Sequence, residues 1–329
     1  MSSPEPMRRI GLWGAPSCGK TTYLASLFIA AARAKWALVG TDSTATDFMT
    51  ANTDLLYQRR FPPPTFVIDN MSWILRGTSH RGAHLPGAPA PRPTTIRLDL
   101  MDSPGMLFGL GQQPPEDEDD LGYPAEDGKG GGTAASFDEL VDRLVGCEGI
   151  LYLYDPVRER DMGNEFRYFQ NVLQRIAQIC EEKGMFQGQY LPHKIAVCVT
   201  KFDDVRVLRT AYERKYLTYD PADPHRFPVL IPEHAENLYS DLLRVSSGGG
   251  AVQVHETIKT FFHRRRIRYF ASSAIGFYKD PLAQHFQMRD FSNVQPGEHD
   301  DELRIRGPIR PINILEPLLW LGDDGQAAR

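Results

Sequence analysis

The stretch "GAPSCGKT", Gly14 to Thr21, has the spacing G-x-x-x-x-G-K-[ST]. Gly14 and Gly19 allow the backbone, with Ala15, Pro16, Ser17 and Cys18 between them, to wrap a polyphosphate at the N-terminus of a helix. There the N–H groups and the helix dipole favour anions. Lys20 would reach the β- and γ-phosphates as the residue that steadies transferred charge. The Thr21 hydroxyl, with Thr22 beside it, would lie against Mg²⁺. A plain tight turn is the competing reading; the apolar strand "RRIGLWG" before the loop and the Ala/Leu-rich helix after it argue against that.

Such a loop does not choose between adenine and guanine. Three later stretches bear on the choice. "LDLMDSPG" is an apolar strand ending in Asp102, which can hold Mg²⁺ through a water, and Gly105, whose N–H can turn to a γ-phosphate. Alone it is weak, because Asp-Ser-Pro-Gly is also a good turn sequence. "TKFD", Thr200 to Asp203, follows another apolar strand. The Asp203 carboxylate can accept the N1–H and 2-amino hydrogens of guanine, a pair adenine does not offer, while the Lys201 stem lies over the base. "SSA", Ser272 to Ala274, ends a last strand, where a backbone N–H from Ser273 or Ala274 can meet the guanine O6. Four motifs in this order, each at a strand end, put a ligand where open α/β sheets bind theirs.

These four motifs resemble those of the translation-factor-related, Ras-like class of P-loop GTPases, over Gly14 to Ala274. More narrowly, "IGLWGAPSCGKTTYLASL" with "INILEPLLWL" is similar to the bacterial, often actinobacterial, double-GTPase group. The resemblance implies GTP/GDP and Mg²⁺ as ligands, and a protein effector, a partner GTPase or a second copy of the chain as partner. It also implies a first-switch Thr that completes the Mg²⁺ and γ-phosphate contacts. Thr65 in "PPPTF" is the choice, as a metal and catalytic residue, although Thr65 could equally start a strand and Thr41, Thr44, Thr46, Thr50 and Thr53 compete. Two departures stand out. Met106, then Leu107 and Phe108, follows D-x-x-G where relatives place a group that orients water. Ser17 stands where potassium-activated relatives carry Asn.

The elements that must position these residues read as alternating apolar strands and helices. That implies an α/β fold of three layers, a mainly parallel sheet with helices on both faces. Helix is expected from Lys20 to about Ala37, then weak periodicity from Leu38 to Pro64. "FVIDNMSWIL" and "TTIRLDLMD" alternate as a hairpin, giving one antiparallel strand. Gly111 to Thr133 is acidic and Gly-rich and reads as a mobile loop, with a partner-docking segment as the alternative. "FDELVDRLVGC", Asn164 to Glu182 and "INILEPLLWL" read as helices, and Val205 to Arg265 as a helical insertion. One P-loop domain over 1–329, core about 8–320, is expected.

The remaining sequence mostly excludes. The chain has 329 residues and a net charge of −5, which disfavours a general nucleic-acid or anionic-membrane binder. Cys18, Cys147, Cys180 and Cys198 lack metal spacing and read as reduced thiols of a cytoplasmic protein. Arg33 and Lys35 interrupt the one run that resembles a membrane span. Cys18 reads as a space-filler rather than a redox sensor, and "HRRRIR" as a solvated helix end rather than a phosphate or lipid site. Asp99 reads as a surface or ladder residue. The expected function is a slow Mg²⁺-dependent GTPase switch; the alternatives are a pseudo-GTPase scaffold and an ATP-using ATPase or kinase.

Overall fold

The computed structural model describes residues 7–63, 70–79, 92–101, 132–245, 250–297 and 302–323. β1 (Arg8–Gly14) runs into α1 (Lys20–Arg33), followed by β2 (Ala37–Gly40), α2 (Ser43–Tyr57), β3 (Asn70–Ser79) and β4 (Arg92–Met101). Next come α3 (Gly132–Val145), β5 (Gly149–Tyr154), α4 (Pro156–Met162), α5 (Glu165–Glu182) and β6 (Lys194–Val199). The rest is α6 (Val205–Glu213), β7 (Leu217–Tyr219), β8 (Pro228–Leu230), α7 (Ala235–Val245), α8 (Gly250–Phe261), β9 (Ile267–Ala271), β10 (Val294–Pro296), β11 (Leu303–Ile305) and α9 (Glu316–Gly322).

Seven strands form one sheet in the order β2-β3-β4-β1-β5-β6-β9. β1 pairs in parallel with β4 and β5, as β6 does with β5 and β9. β3 runs antiparallel to both its neighbours. The reason lies in the side chains: every residue of "GILYLY" in β5 is buried, as a strand covered on both faces must be. On one face Trp13, Tyr152 and Phe169 pack ring on ring beneath α3 and α5. On the other, Leu12, Leu24, Leu27, Trp73 and Leu98 pack with Leu318 of α9. The expected three-layer α/β architecture with one antiparallel hairpin strand is the one found. Its consequence for function is positional: β1, β5, β6 and β9 are mutually parallel, so their carboxyl ends open on one edge of the sheet.

Several local readings are corrected. α1 stops at Arg33, and Lys35 turns the chain at φ 60° into β2. The weak periodicity after Leu38 conceals α2, which is capped by Asp42 Oδ1 accepting from Ala45 N at 2.8 Å. Its buried side includes Asn52 and Thr53, so the apolar stripe is interrupted. The stretch from Val205 to Arg265 contains a small β7–β8 hairpin as well as helices. α3 begins at Gly132, so the last two residues of the acidic stretch 111–133 are helical; 111–131 lie outside the described residues.

Asp99 is no surface residue: it is 3% exposed. It faces Ser72 across β3–β4 and accepts from Ser72 Oγ at 2.6 Å, Arg97 Nε at 2.7 Å and Arg9 Nη2 at 2.9 Å. Burial pushes its pKa up, but the bonds from Ser72, Arg97 and Arg9 outweigh this and hold the carboxyl below its ordinary range. No described helix is long and apolar enough to cross a membrane.

Candidate functional site

The loop after β1 takes its shape from backbone conformation. Ser17 and Gly19 both lie in the left-handed region, at φ 60° and 96°, a geometry that turns N–H groups toward a common concavity. A side chain at position 14 would put its Cβ 2.8 Å from Leu153 O, so only glycine lets the loop leave β1 against β5. α1 starts at Lys20 without a side-chain cap at Gly19, so no side chain of that residue closes over its first turn. Pro16 has no N–H and can give shape only. Lys20 is buried, with Nζ donating to Gly14 O and Ala15 O at 3.3 Å each. These are long contacts that anionic oxygens would replace readily. Thr21 and Thr22 open α1 beside it. Cys18 is fully buried, and burial pushes its thiol up to about 12, which suits the space-filling reading and makes it a poor nucleophile.

The loop after β1 and the "TKFD" stretch after β6 meet because β6 is the second strand over from β1. Thr200 Oγ1 donates to Tyr154 O at 3.2 Å and lies 3.5 Å from Cys18 O, at the limit of hydrogen bonding. Lys201 adopts φ 55°, and its ammonium lies 2.6 Å from Asp155 Oδ2. Phe202 N donates to Ser272 O and Ser272 N to Val199 O, which staples "TKFD" to the end of β9. Asp203 is 7% exposed and accepts from Ser273 Oγ at 2.5 Å, while Ser273 Oγ itself accepts from Gly276 N at 2.7 Å. Burial raises the Asp203 carboxyl to about 6, the Ser273 bond opposing it. Ser273 N is taken by Ile312 O, so of the two amides expected to meet a base oxygen Ser273 N is already bonded.

The structure therefore brings Gly14 to Thr22, Thr200, Lys201, Asp203, Ser273 and Ala274 to one edge of the sheet. Thr65, Asp102, Gly105 and Met106 lie outside the described residues. Thr44, Thr46, Thr50 and Thr53, rivals of Thr65, sit on α2. Thr46 and Thr50 donate their hydroxyls to the preceding turn of that helix and Thr53 donates to Ala25 O. Thr41 donates to Ser72 O. Helix and strand bonding thus occupies four of the five rivals.

Sequence reasoning missed two contributors. Asp155, at the carboxyl end of β5, is fully buried beside Lys201. The strap from Pro311 to Leu315 is laced to the site: Ile312 pairs with Ser273, Asn313 Nδ2 donates to Ala271 O, and Tyr23 Oη donates to Ile314 O. An Asp directly after a buried strand was a visible signal; the strap, from Ile312 on, lies in "INILEPLLWL", which reads as a helix throughout, whereas α9 begins only at Glu316 and Ile312 to Leu315 are irregular. "HRRRIR" holds a short 3₁₀ turn, and Arg266 donates to Pro192 O, consistent with a structural end rather than a site.

No family model matches the chain, and no curated protein matches it. Among solved structures it is similar to the GTPase-like domain of Ski7 from S. cerevisiae bound to GTP, at 11% identity and a TM-score of 0.37. That match covers 98% of this chain and 51% of the other. The same domain bound to GDP and inorganic phosphate matches at 11% identity and a TM-score of 0.32, over 82% of this chain and 43% of that one. A protein from Thermus thermophilus matches at 12% identity and a TM-score of 0.28, over 82% and 37% respectively. This chain spans about half, or less, of the length of these neighbours. At such scores a functional reading must rest on the site itself.

Proposed function

We propose that this chain is a P-loop GTPase of the translation-factor-related class that binds Mg·GTP, hydrolyses it slowly and acts as a switch toward a protein partner. The observation that carries the reading is Asp203, buried at the carboxyl end of β6 with one oxygen fixed by Ser273 of the neighbouring strand end. A buried carboxylate held beside a phosphate loop suits guanine, whose two donors would satisfy it. An ATPase or kinase would leave it without a purpose. Residues 8–320 would act as one nucleotide-binding domain of a cytoplasmic protein, in the style of the double-GTPase group.

Lys20 would release the loop carbonyls for the β- and γ-phosphates. Thr21 would hold Mg²⁺, with Asp102 and Thr65 completing its surroundings, and Gly105 would meet the γ-phosphate. The metal would neutralise charge developing on the phosphoryl oxygens. Met106 has no group to orient water, so turnover by the chain alone is expected well below about 1 s⁻¹, with a partner or second copy supplying what is missing. Complete absence of turnover with tight GTP binding would favour the scaffold alternative.

Competition binding tests the reading: GTP and GDP should displace a fluorescent guanine nucleotide at far lower concentration than ATP. Asp203→Asn should weaken GTP and improve xanthosine triphosphate. Equal affinity of the unaltered chain for ATP and GTP would sink it.

A further inference from the structure

We infer that Asp155 is a positioning residue that presets Lys201 for the nucleotide base and thereby lengthens nucleotide residence; this rests on the guanine-site reading above. Asp155 ends β5 and is 0% exposed. A carboxylate taken that far from water needs full compensation. Its two oxygens divide the work. Oδ1 caps α4, accepting from Val157 N at 3.0 Å and Arg158 N at 3.1 Å. Oδ2 accepts no well-oriented hydrogen bond, so its compensation is the charge of the Lys201 ammonium, an ion pair at 2.6 Å. The nearby Arg158 guanidinium is turned elsewhere, to Glu165 Oε2 at 3.2 Å and Asn164 Oδ1 at 2.8 Å.

Lys201 is 43% exposed in its side chain, so part of it is open although its ammonium is paired with Asp155. Its backbone is fixed as well, with φ 55° and its carbonyl accepting from Asp204 N at 2.8 Å. A lysine stem normally loses much rotamer freedom when it is laid on a flat surface. Here that freedom is removed before any ligand arrives, because both ends of the side chain are held. The open part then offers a preset apolar ledge beside Asp203, two residues on. Asp155 touches no ligand in this account; it acts through Lys201.

The two roles of Asp155 can be separated. Asparagine caps helices about as well as aspartate, so Asp155→Asn should keep α4 and lose only the charged partner. We expect Asp155→Asn to speed release of a fluorescent GDP by about five- to tenfold, the loss of one charge-assisted contact, with the melting temperature nearly unchanged. Affinity for inorganic triphosphate, which has no base, should not change. Lys201→Met should speed release similarly, and Asp155→Asn added to Lys201→Met should have no further effect. An unchanged release rate in Asp155→Asn, equal acceleration in both backgrounds, or equal weakening of inorganic triphosphate would overturn the inference while leaving the guanine site standing. Failure of the unaltered chain to bind the fluorescent GDP would overturn both.

Discussion

At the end proposed to meet the base, Asp203 is held by a chain of bonds, Gly276 N to Ser273 Oγ to Asp203 Oδ1, inside a buried setting. At the phosphate end, the loop from Gly14 to Gly19 is shaped by backbone dihedrals, and Lys20 rests on its own loop carbonyls at 3.3 Å. The first arrangement suits selection: a buried acceptor penalises any base that leaves it unpaired. The second suits affinity on the proposed reading, because phosphate charge would be met by backbone donors and the Lys20 ammonium. The two ends should accordingly fail in different ways when altered.

The largest effect is expected at the phosphate end. Lys20→Ala should abolish hydrolysis and weaken GTP and ATP alike, on the order of 10²-fold, by removing the side-chain cation proposed to meet the outer phosphates; titration with both nucleotides checks it. Retention of guanine preference in whatever binding remains would support the division between the ends. Next, Asp203→Asn should cost GTP affinity by a factor on the order of 10³ and leave inorganic triphosphate unaffected. Weakening of both ligands would show that the ends are not separable.

Ser273→Ala should reduce GTP affinity by about tenfold, since Asp203 loses its fixed donor and Gly276 N its acceptor. Unfolding measured alongside should separate this from global damage.

The pH response is the smallest of these effects near neutrality. Burial raises Asp203 to about 6 against the Ser273 bond, with Asp204 adding to the rise and Lys201 opposing it. Guanine needs the carboxylate, so protons compete as pH falls through 6, and affinity should drop toward about tenfold per pH unit below it. The sign for stability is the reverse: an Asp raised in the folded state makes folding more favourable as pH falls from 6 toward 4. Calorimetric GDP titrations from pH 5 to 8 check the binding arm, with inorganic triphosphate as the control for phosphate protonation. The step should be missing in Asp203→Asn.

Much of this was legible before any coordinates. The shape of the loop after β1 was, because Gly14 and Gly19 are dictated by local backbone geometry, and local geometry is written in residue type. So were the central strands, since "GILYLY" and "KIAVCV" are too apolar to face water on either side. Asp99, by contrast, was only half legible: alternation along β4 points it away from the leucines, as a surface or ladder residue, and nothing local shows that Arg9 and Ser72 come from two neighbouring strands to bury it in a ladder. α2 was hidden for a related reason, with Thr53 buried by a bond to Ala25 of another helix. Residue type and spacing thus determined which groups could do chemistry and the order of the strands that carry them. The tertiary structure decided their partners, Asp155 with Lys201, Ser273 with Asp203 and Ile312 with Ser273. Those pairs span from 39 to 70 positions of chain; parallel strands side by side bring Asp155 to Lys201 and Ser273 to Asp203, and an isolated antiparallel bridge brings Ile312 to Ser273.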